Sequence, residues 1–263
     1  LLYFWGKLNK KGCSFVRTAH EKASSMGTPL TPYNTEESKK QQVATMFNNV
    51  AGTYDFLNHF FSMGIDKLWR RKLVKLIGRK QPKMILDVAT GTADLAIAES
   101  KLHPTKIIGV DISEKMLAVG REKIKSYPMI ELQLGDSEAL QFPDNTFDAV
   151  SVSFGVRNFE NVPKGLSEMR RVLKPGGTLY VLEFSKPRNW FIQKLYYFYF
   201  CNVLPFIGKL VSKDARAYSY LPESVRLFPD GQQFVELLQQ AGYKDIECKT
   251  LTFGISTIYI AGK

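Results

Sequence analysis

Residues 84–92 read Met-Ile-Leu-Asp-Val-Ala-Thr-Gly-Thr, a short apolar run that breaks into a turn, and Lys106-Ile-Ile-Gly-Val-Asp111 repeats the pattern one helix later. Apolar runs this short, without polar alternation, are strands covered on both faces. A helix over Leu95–Leu102 joins them into a βαβ unit, which commits the chain to a parallel sheet. The alternation persists. Ser113 and Glu114 cap a helix running to Lys125, Ile130–Leu134 is a third strand, and Phe147–Ser153 is a fourth. A helix over Pro163–Leu173 stops at Lys174-Pro-Gly-Gly177, and Thr178–Phe184 is a fifth strand. After a helix over Gln232–Ala241, Asp245–Thr252 and Ile255–Ala261 form a closing antiparallel pair around a Phe-Gly turn. The expected fold is α/β: a doubly wound, seven-stranded, mostly parallel sheet.

A chain of 263 residues suits one large α/β unit with an appendage, and 44% hydrophobic with 23% charged residues excludes disordered and fibrous classes. The domain spans 36–263. It opens with N-terminal helices: Val43, Met46, Phe47 and Val50 share one face, and Leu68–Ile77 is basic and amphipathic. Residues 1–35 show no sustained period and no signal-peptide pattern; they are expected as a poorly ordered extension, with Met26 a candidate start. Three scattered cysteines and three histidines leave no disulfide framework or Cys/His zinc site, and a reducing, cytoplasmic setting is the default; no metal ligand is assigned, and the count leaves carboxylate-bound Mg²⁺ open.

The net charge of +11 raises two partners, nucleic acid and an anionic membrane surface. From Lys67 to Lys83 eight cations stand without an acid, which reads as a solvated helix face. A second basic region, Lys186 to Arg226, carries aromatics as well.

Asp111 lies 20 positions past Gly91, where a strand-end carboxylate accepts hydrogen bonds from both hydroxyls of an adenosine ribose. Nicotinamide and S-adenosylmethionine (SAM) enzymes share that feature, and the preceding loop separates them. Ala89-Thr-Gly-Thr-Ala-Asp94 has one glycine where a pyrophosphate demands Gly-x-Gly-x-x-Gly, and it places Asp87 and Asp94 nearby. An anionic pyrophosphate is poorly served there. A sulfonium is better served: Asp87 favours the cation, and Thr92 with loop N–H groups bonds the methionine end. Asp136, with Ser137 beside it, ends the third strand and can accept from an adenine amino group; Asp148 reads as a strand-end cap.

The order Leu86-Asp-Val-Ala-Thr-Gly-Thr92, Val110-Asp111, Gly135-Asp136, Phe147-Asp148 and Leu173-Lys-Pro-Gly-Gly177 resembles the class I SAM-dependent methyltransferases, which implies their Rossmann-like fold. Two strings narrow the likeness: Arg171 through Ser185, and Tyr54-Asp-Phe-Leu-Asn58 with Ser62 and Trp69. They resemble the paired signatures of the UbiE/MenG family, which C-methylates the ring of menaquinone and ubiquinone precursors; Ser153-Phe-Gly-Val-Arg-Asn158 fits it too. The resemblance covers Thr45 to Lys263 and implies SAM as cofactor, Ser153 among its contacts, and a prenylated hydroquinone as substrate. Demethylmenaquinol is the expected acceptor, with a methoxy-polyprenyl-benzoquinol, or RNA or another small molecule, as alternatives. Asp66 stands where the first signature usually has His, and Ala93 where the loop commonly has Gly. The second departure requires residue 93 to avoid positive φ.

Methylating a ring carbon is easier once a phenolic proton is lost, and a free phenol titrates near pH ~10. Arg157, at the carboxyl edge of the sheet, is the expected stabiliser of that oxygen, with Asn158 and Tyr54 positioning the group. A pairing of Arg157 with Glu183 is the competing expectation. The aromatic segment Trp190–Val211 lies in an insertion, 186–228, after strand five; its charge-free run is too short to span a bilayer. It suits either the membrane interface, where a prenyl tail resides, or a lid packed on the domain or a homodimer partner. No nucleic-acid module is found, so contact at the inner face of a membrane is the expected use of the charge.

Overall fold

Strand β1 (Met84–Val88) pairs in parallel with β2 (Lys106–Asp111) on one side and β4 (Phe147–Ser153) on the other. This computed structural model describes residues 30–199 and 215–263. With β3 (Ile130–Leu134), β5 (Leu173–Phe184), β6 (Lys244–Leu251) and β7 (Ser256–Gly262), the sheet order is β3-β2-β1-β4-β5-β7-β6. Only β7 runs antiparallel to its neighbours. The order reverses between β1 and β4, which makes the carboxyl ends of those two strands the place where a ligand crevice opens.

Alternation along each strand divides the core. Leu86 and Val88 of β1 join Val110, Val150 and Val181 on one face, under α6 (Val162–Val172) and α9 (Gln232–Gln240). Ile85, Ile107 and Ala149 point to the other, under α3 (Ile65–Ile77), α4 (Asp94–Glu99) and α5 (Glu114–Lys123). Trp69 of α3 closes that layer near β7, where its Nε1 donates to Thr252 Oγ1 at 2.7 Å.

Local chemistry sets the boundaries. Helix α1 (Lys39–Val50) begins three residues later than the apolar pattern suggests, because Ser38 and Gln41 form a reciprocal capping box. Its buried Gln42 accepts from Tyr33 N and donates to Thr35 O and Glu37 O, so residues 33–37 are strapped to α1. The rest of the expected extension, 1–29, lies outside the described residues. Helix α2 (Tyr54–Phe61), which the sequence pattern did not single out, turns through Gly64 (φ 75°) into α3. Strand β5 starts at Leu173 rather than Thr178: Leu173 pairs with Phe147, Thr178 pairs with Ala149, and Lys174–Gly177 bulge between them. Within the insertion, α7 (Trp190–Phe198) and α8 (Ala215–Leu227) pack through Tyr196 and Val225 against Phe184 and Ile255. Residues 200–214, which hold much of the aromatic run, lie outside the described residues.

Candidate active site

The loops after β1 to β4 surround a cavity of about 680 Å³, counting its mouth, roofed by Val43 and Phe47 of α1 and by Tyr54 of α2.

One half of the wall is made by strand ends. Asp111 is buried, and its carboxylate accepts from Gly91 N and Ser113 N, each at 2.8 Å, while the residue still lines the cavity. Burial pushes its carboxyl above the ordinary range, and the backbone N–H groups oppose that rise. Asp136 accepts from Glu138 N at 2.9 Å and from Lys40 Nζ; Ser137 lines the wall beside it. Ser153 Oγ is buried in the same wall, with no hydrogen-bond partner among the described residues. The rim is strained: Ala89 (φ 54°) and Phe154 (φ 59°) are left-handed residues with side chains, beside Gly91 (φ 58°). Gly155 allows the two loops to touch, since a Cβ there would lie 2.6 Å from Ala89 Cβ.

The other half gathers distant residues. Asn158 and Tyr54 line the cavity. Burial raises the Tyr54 hydroxyl's pKa, opposed by a hydrogen bond with Asn58 and by the charge of Arg157. Arg157 itself stands behind the cavity wall. Its Nη1 is 2.7 Å from Glu183 Oε1 and also donates to Phe154 O, and its guanidinium lies 5.3 Å from the Phe184 ring centre. The Glu183 pairing, the competing expectation, is thus the arrangement observed. Lys39 Nζ donates to Phe159 O at 2.7 Å and Arg157 O at 3.3 Å, clamping the turn that presents Asn158; burial brings its pKa down to about 8.

Two expected cofactor contacts do not reach the cavity. Thr92 is buried and its hydroxyl donates to Asp55 Oδ1, with Lys123 Nζ at 3.2 Å. Asp87 lies under the loop, accepting from Thr90 Oγ1 at 2.7 Å, with its other oxygen unpartnered. Burial raises the carboxyl pKa of Asp87, to about 7, and of its neighbour Glu99; the charge of Asp111 adds to the rise at Asp87, and the charge of Asp87 adds to that at Glu99. Asp87 and Thr92 therefore shape the loop from below. Residue 93 overturns its expectation: Ala93 takes φ 68° while fully buried, because it ends the loop turn, with its N–H on Thr90 O and its carbonyl accepting from Ile97 N. At Asp66, burial raises the carboxyl but Ser62, Arg70 and His59 outweigh it and hold it low; His59 Nδ1 is 2.8 Å away. The imidazole absent from position 66 is present seven residues earlier, in contact with it.

Sequence reasoning missed Lys39, Lys40, Asp55, Glu99 and Lys123. Asp55 adjoins Tyr54 inside the quoted string, which was a usable signal; Lys39, Lys40 and Lys123 act across 29 to 120 residues of chain, and Glu99 meets Asp87 from the far end of the next helix, so none of these carries a local one.

A Bacteroides fragilis protein named demethylmenaquinone methyltransferase is 46% identical over 238 residues, spanning 89% of this chain and 97% of that protein. A Geobacter sulfurreducens protein named ubiquinone/menaquinone biosynthesis C-methyltransferase UbiE is 45% identical over 239 residues, spanning 89% and 93%. Among solved structures, a SAM-dependent methyltransferase of Thermotoga maritima aligns with a TM-score of 0.58 at 19% identity, covering 83% of this chain and 99% of that one. The [4+2]-cyclase SpnF aligns at 0.61 and 17%, covering 85% and 96%, so likeness at this level speaks for the fold alone. The profile of the ubiE/COQ5 methyltransferase family matches residues 35–263, and the chain belongs to that family.

Proposed function

We propose that this chain transfers a methyl group from SAM to a ring carbon of demethylmenaquinol, giving menaquinol. The observation that carries the reading is near full-length identity to relatives named for that reaction, 46% over 89% of the chain. The site's own chemistry supports the cofactor. Asp111 retains acceptor capacity toward the cavity for a ribose, the unpartnered Ser153 Oγ awaits a polar group, and the close approach of Gly155 to Ala89 leaves no glycine-rich pyrophosphate cradle.

When bound, SAM supplies an electrophilic methyl carbon on a sulfonium. The chain's part is to hold the acceptor in line, exclude water and favour loss of the phenolic proton. Asn158 and Tyr54 orient the ring's oxygen at the cavity wall, and the Arg157 cation behind them favours the ionised oxygen. Arginine stays protonated, so the proton leaves to water rather than to Arg157. Asp136 receives the adenine amino group once Lys40 releases it, with Ser137 N–H alongside. Asp87 and Thr92 act through the loop, which they hold from beneath.

The prenyl tail of such an acceptor belongs in a bilayer. Among the described residues no helix is long and apolar enough to cross one. Trp190, Phe191 and Leu195 of α7 are exposed, as is Phe253 in the β6–β7 turn, and Lys194 Nζ lies 4.6 Å over the Trp190 ring. Aromatics flanked by cations suit a membrane interface, so this face is the proposed point of transient contact.

Radiolabelled SAM offered with a reduced demethylnaphthoquinol and, separately, a methoxybenzoquinol tests the reading. Label entering the naphthoquinol ring is expected. Label in the benzoquinol alone moves the substrate to the ubiquinone branch, and label in neither ends the proposal.

A further inference from the structure

Lys40 alone, among the described residues that line the cavity, carries a positive charge, and Asp136, Glu138 and Glu160 lie in the same part of the wall. It reaches that wall from the first turn of α1, 96 residues before its partner, and its Nζ donates to Asp136 Oδ2. The other Asp136 oxygen accepts from Glu138 N at 2.9 Å, so the oxygen left for a ligand is the one Lys40 holds. A second carboxylate is close. Glu138 Oε2 lies 3.7 Å from Lys40 Nζ, while Glu138 Oε1 is fixed by Glu160 N and Asn161 N, each at 2.9 Å. The Glu138 side chain is 5% exposed, and a carboxylate that buried gains from a closer cation. Cations in a first turn oppose the helix dipole, so the stability of α1 does not account for Lys40.

We propose that Lys40 is a displaceable stand-in for the adenine amino group of the cofactor: it donates to Asp136 until the base enters, then moves to Glu138. The inference rests on the SAM reading above and names the residue that sets how tightly the base is gripped. Both groups are N–H donors aimed at one oxygen, so each excludes the other there. Lysine suits the exchange, being a compact charge with three donors on a flexible stem. Closing the gap to Glu138 asks the ammonium to travel about 1 Å. The bond to Asp136 raises the Lys40 pKa, with burial opposing and the charges of Asp136, Glu138 and Glu160 assisting, so the ammonium stays charged at neutral pH. A purine with oxygen in place of the amino group behaves differently: its carbonyl accepts from Lys40 where it stands and has no use for Asp136. Lys40 therefore weakens binding of adenine-bearing ligands in particular. SAM and adenosylhomocysteine carry the same base, so both are weakened alike, and the product leaves sooner.

Calorimetric titration of the full chain with adenosylhomocysteine and with S-inosylhomocysteine, which replaces the amino group by oxygen, tests this. Lys40→Met keeps most of the stem and removes the charge. It should bind adenosylhomocysteine about two- to fivefold more tightly, the range of a part-exposed ion pair. Its affinity for S-inosylhomocysteine should stay level or fall, and the KM for SAM should drop. Lys40→Arg keeps a cation on Asp136 and should show no gain. Lys40→Ala, a strong helix former, repeats the measurement if Lys40→Met lowers the thermal midpoint.

A lysine with a merely structural role gives no gain in affinity when removed. Adenosylhomocysteine affinity that is level or lower in both Lys40→Met and Lys40→Ala overturns the proposal, as does an equal gain for the two ligands. If the unchanged chain binds neither adenosylhomocysteine nor SAM, the cofactor reading falls, and the role of Lys40 falls with it. Tightening confined to the amino-bearing ligand upholds both.

Discussion

The two halves of the cavity are held by different means. On the cofactor side, Asp111 is fixed by backbone N–H groups of Gly91 and Ser113, and strand register places both. On the acceptor side, the turn bearing Asn158 is held by side chains: Lys39 on its carbonyls, from 118 and 120 residues away, and Glu183 on Arg157. Backbone-fixed geometry survives side-chain change and comes with the fold. Geometry fixed by ion pairs depends on each partner, so the acceptor side is where substitution alters chemistry while leaving the cofactor half intact.

The sharpest way to break that contrast is to remove Glu183. It is fully buried, and Glu183→Ala leaves the Arg157 cation in place without its partner. Breaking one side of such a pair costs about 3–5 kcal/mol, to be read from denaturant midpoints. Activity should vanish before the fold does. A loss under ~1 kcal/mol would mean the cation finds water instead, and the acceptor side would be softer than described.

A paired experiment sharpens the comparison at smaller cost. Asp111→Asn gives up anionic acceptance on the cofactor side, where hydrogen bonds to a charged group contribute ~1.5–3 kcal/mol, so adenosylhomocysteine affinity should fall roughly 10- to 100-fold. Lys39→Met removes the clamp on the Asn158 turn; turnover should fall about tenfold with that affinity unchanged. If both variants lose affinity equally, the halves are not separable.

The same division explains what could be read from the chain alone. Apolar runs specified β1, β2, β3 and β4, and strand-end carboxylates Asp111 and Asp136 came with them, because period and position within one strand are local properties. Helix α2 was missed although Phe56, Leu57, Phe60 and Phe61 recur at helical spacing, because eight residues are too few for a period to stand out. The start of β5 was missed because Lys174-Pro-Gly-Gly177 looks like a turn and is a bulge, a distinction made by pairing with Phe147. Thr92 was assigned outward from its place in the loop, whereas Asp55, 37 residues upstream, turns its hydroxyl inward. Ala93 shows the limit of propensity: a left-handed alanine is tolerated where Thr90, Ile97 and the close packing of Gly120 determine the turn.

The smallest effect concerns the acids beneath the loop, which belong to neither half. Glu99 is fully buried beside Asp87 and Ser151. Burial first, then the charge of Asp87, raises its carboxyl pKa above the unfolded value, which is ~4.3. Between those two values the folded chain holds a proton that the unfolded chain has released. Stability therefore falls as pH rises through that window, by at most ~1.4 kcal/mol per pH unit for one proton. Glu99→Gln carries no titratable proton and can donate its amide to the unpartnered Asp87 oxygen. The variant should match the unchanged chain near pH 4, pull ahead as pH rises, and level off once the native carboxyl has ionised. Denaturant midpoints across pH 4 to 8 measure the gap, and parallel curves would mean that Glu99 titrates at its ordinary value. Adenosylhomocysteine affinity should change little, since Asp87 and Glu99 shape the loop from below without lining the cavity.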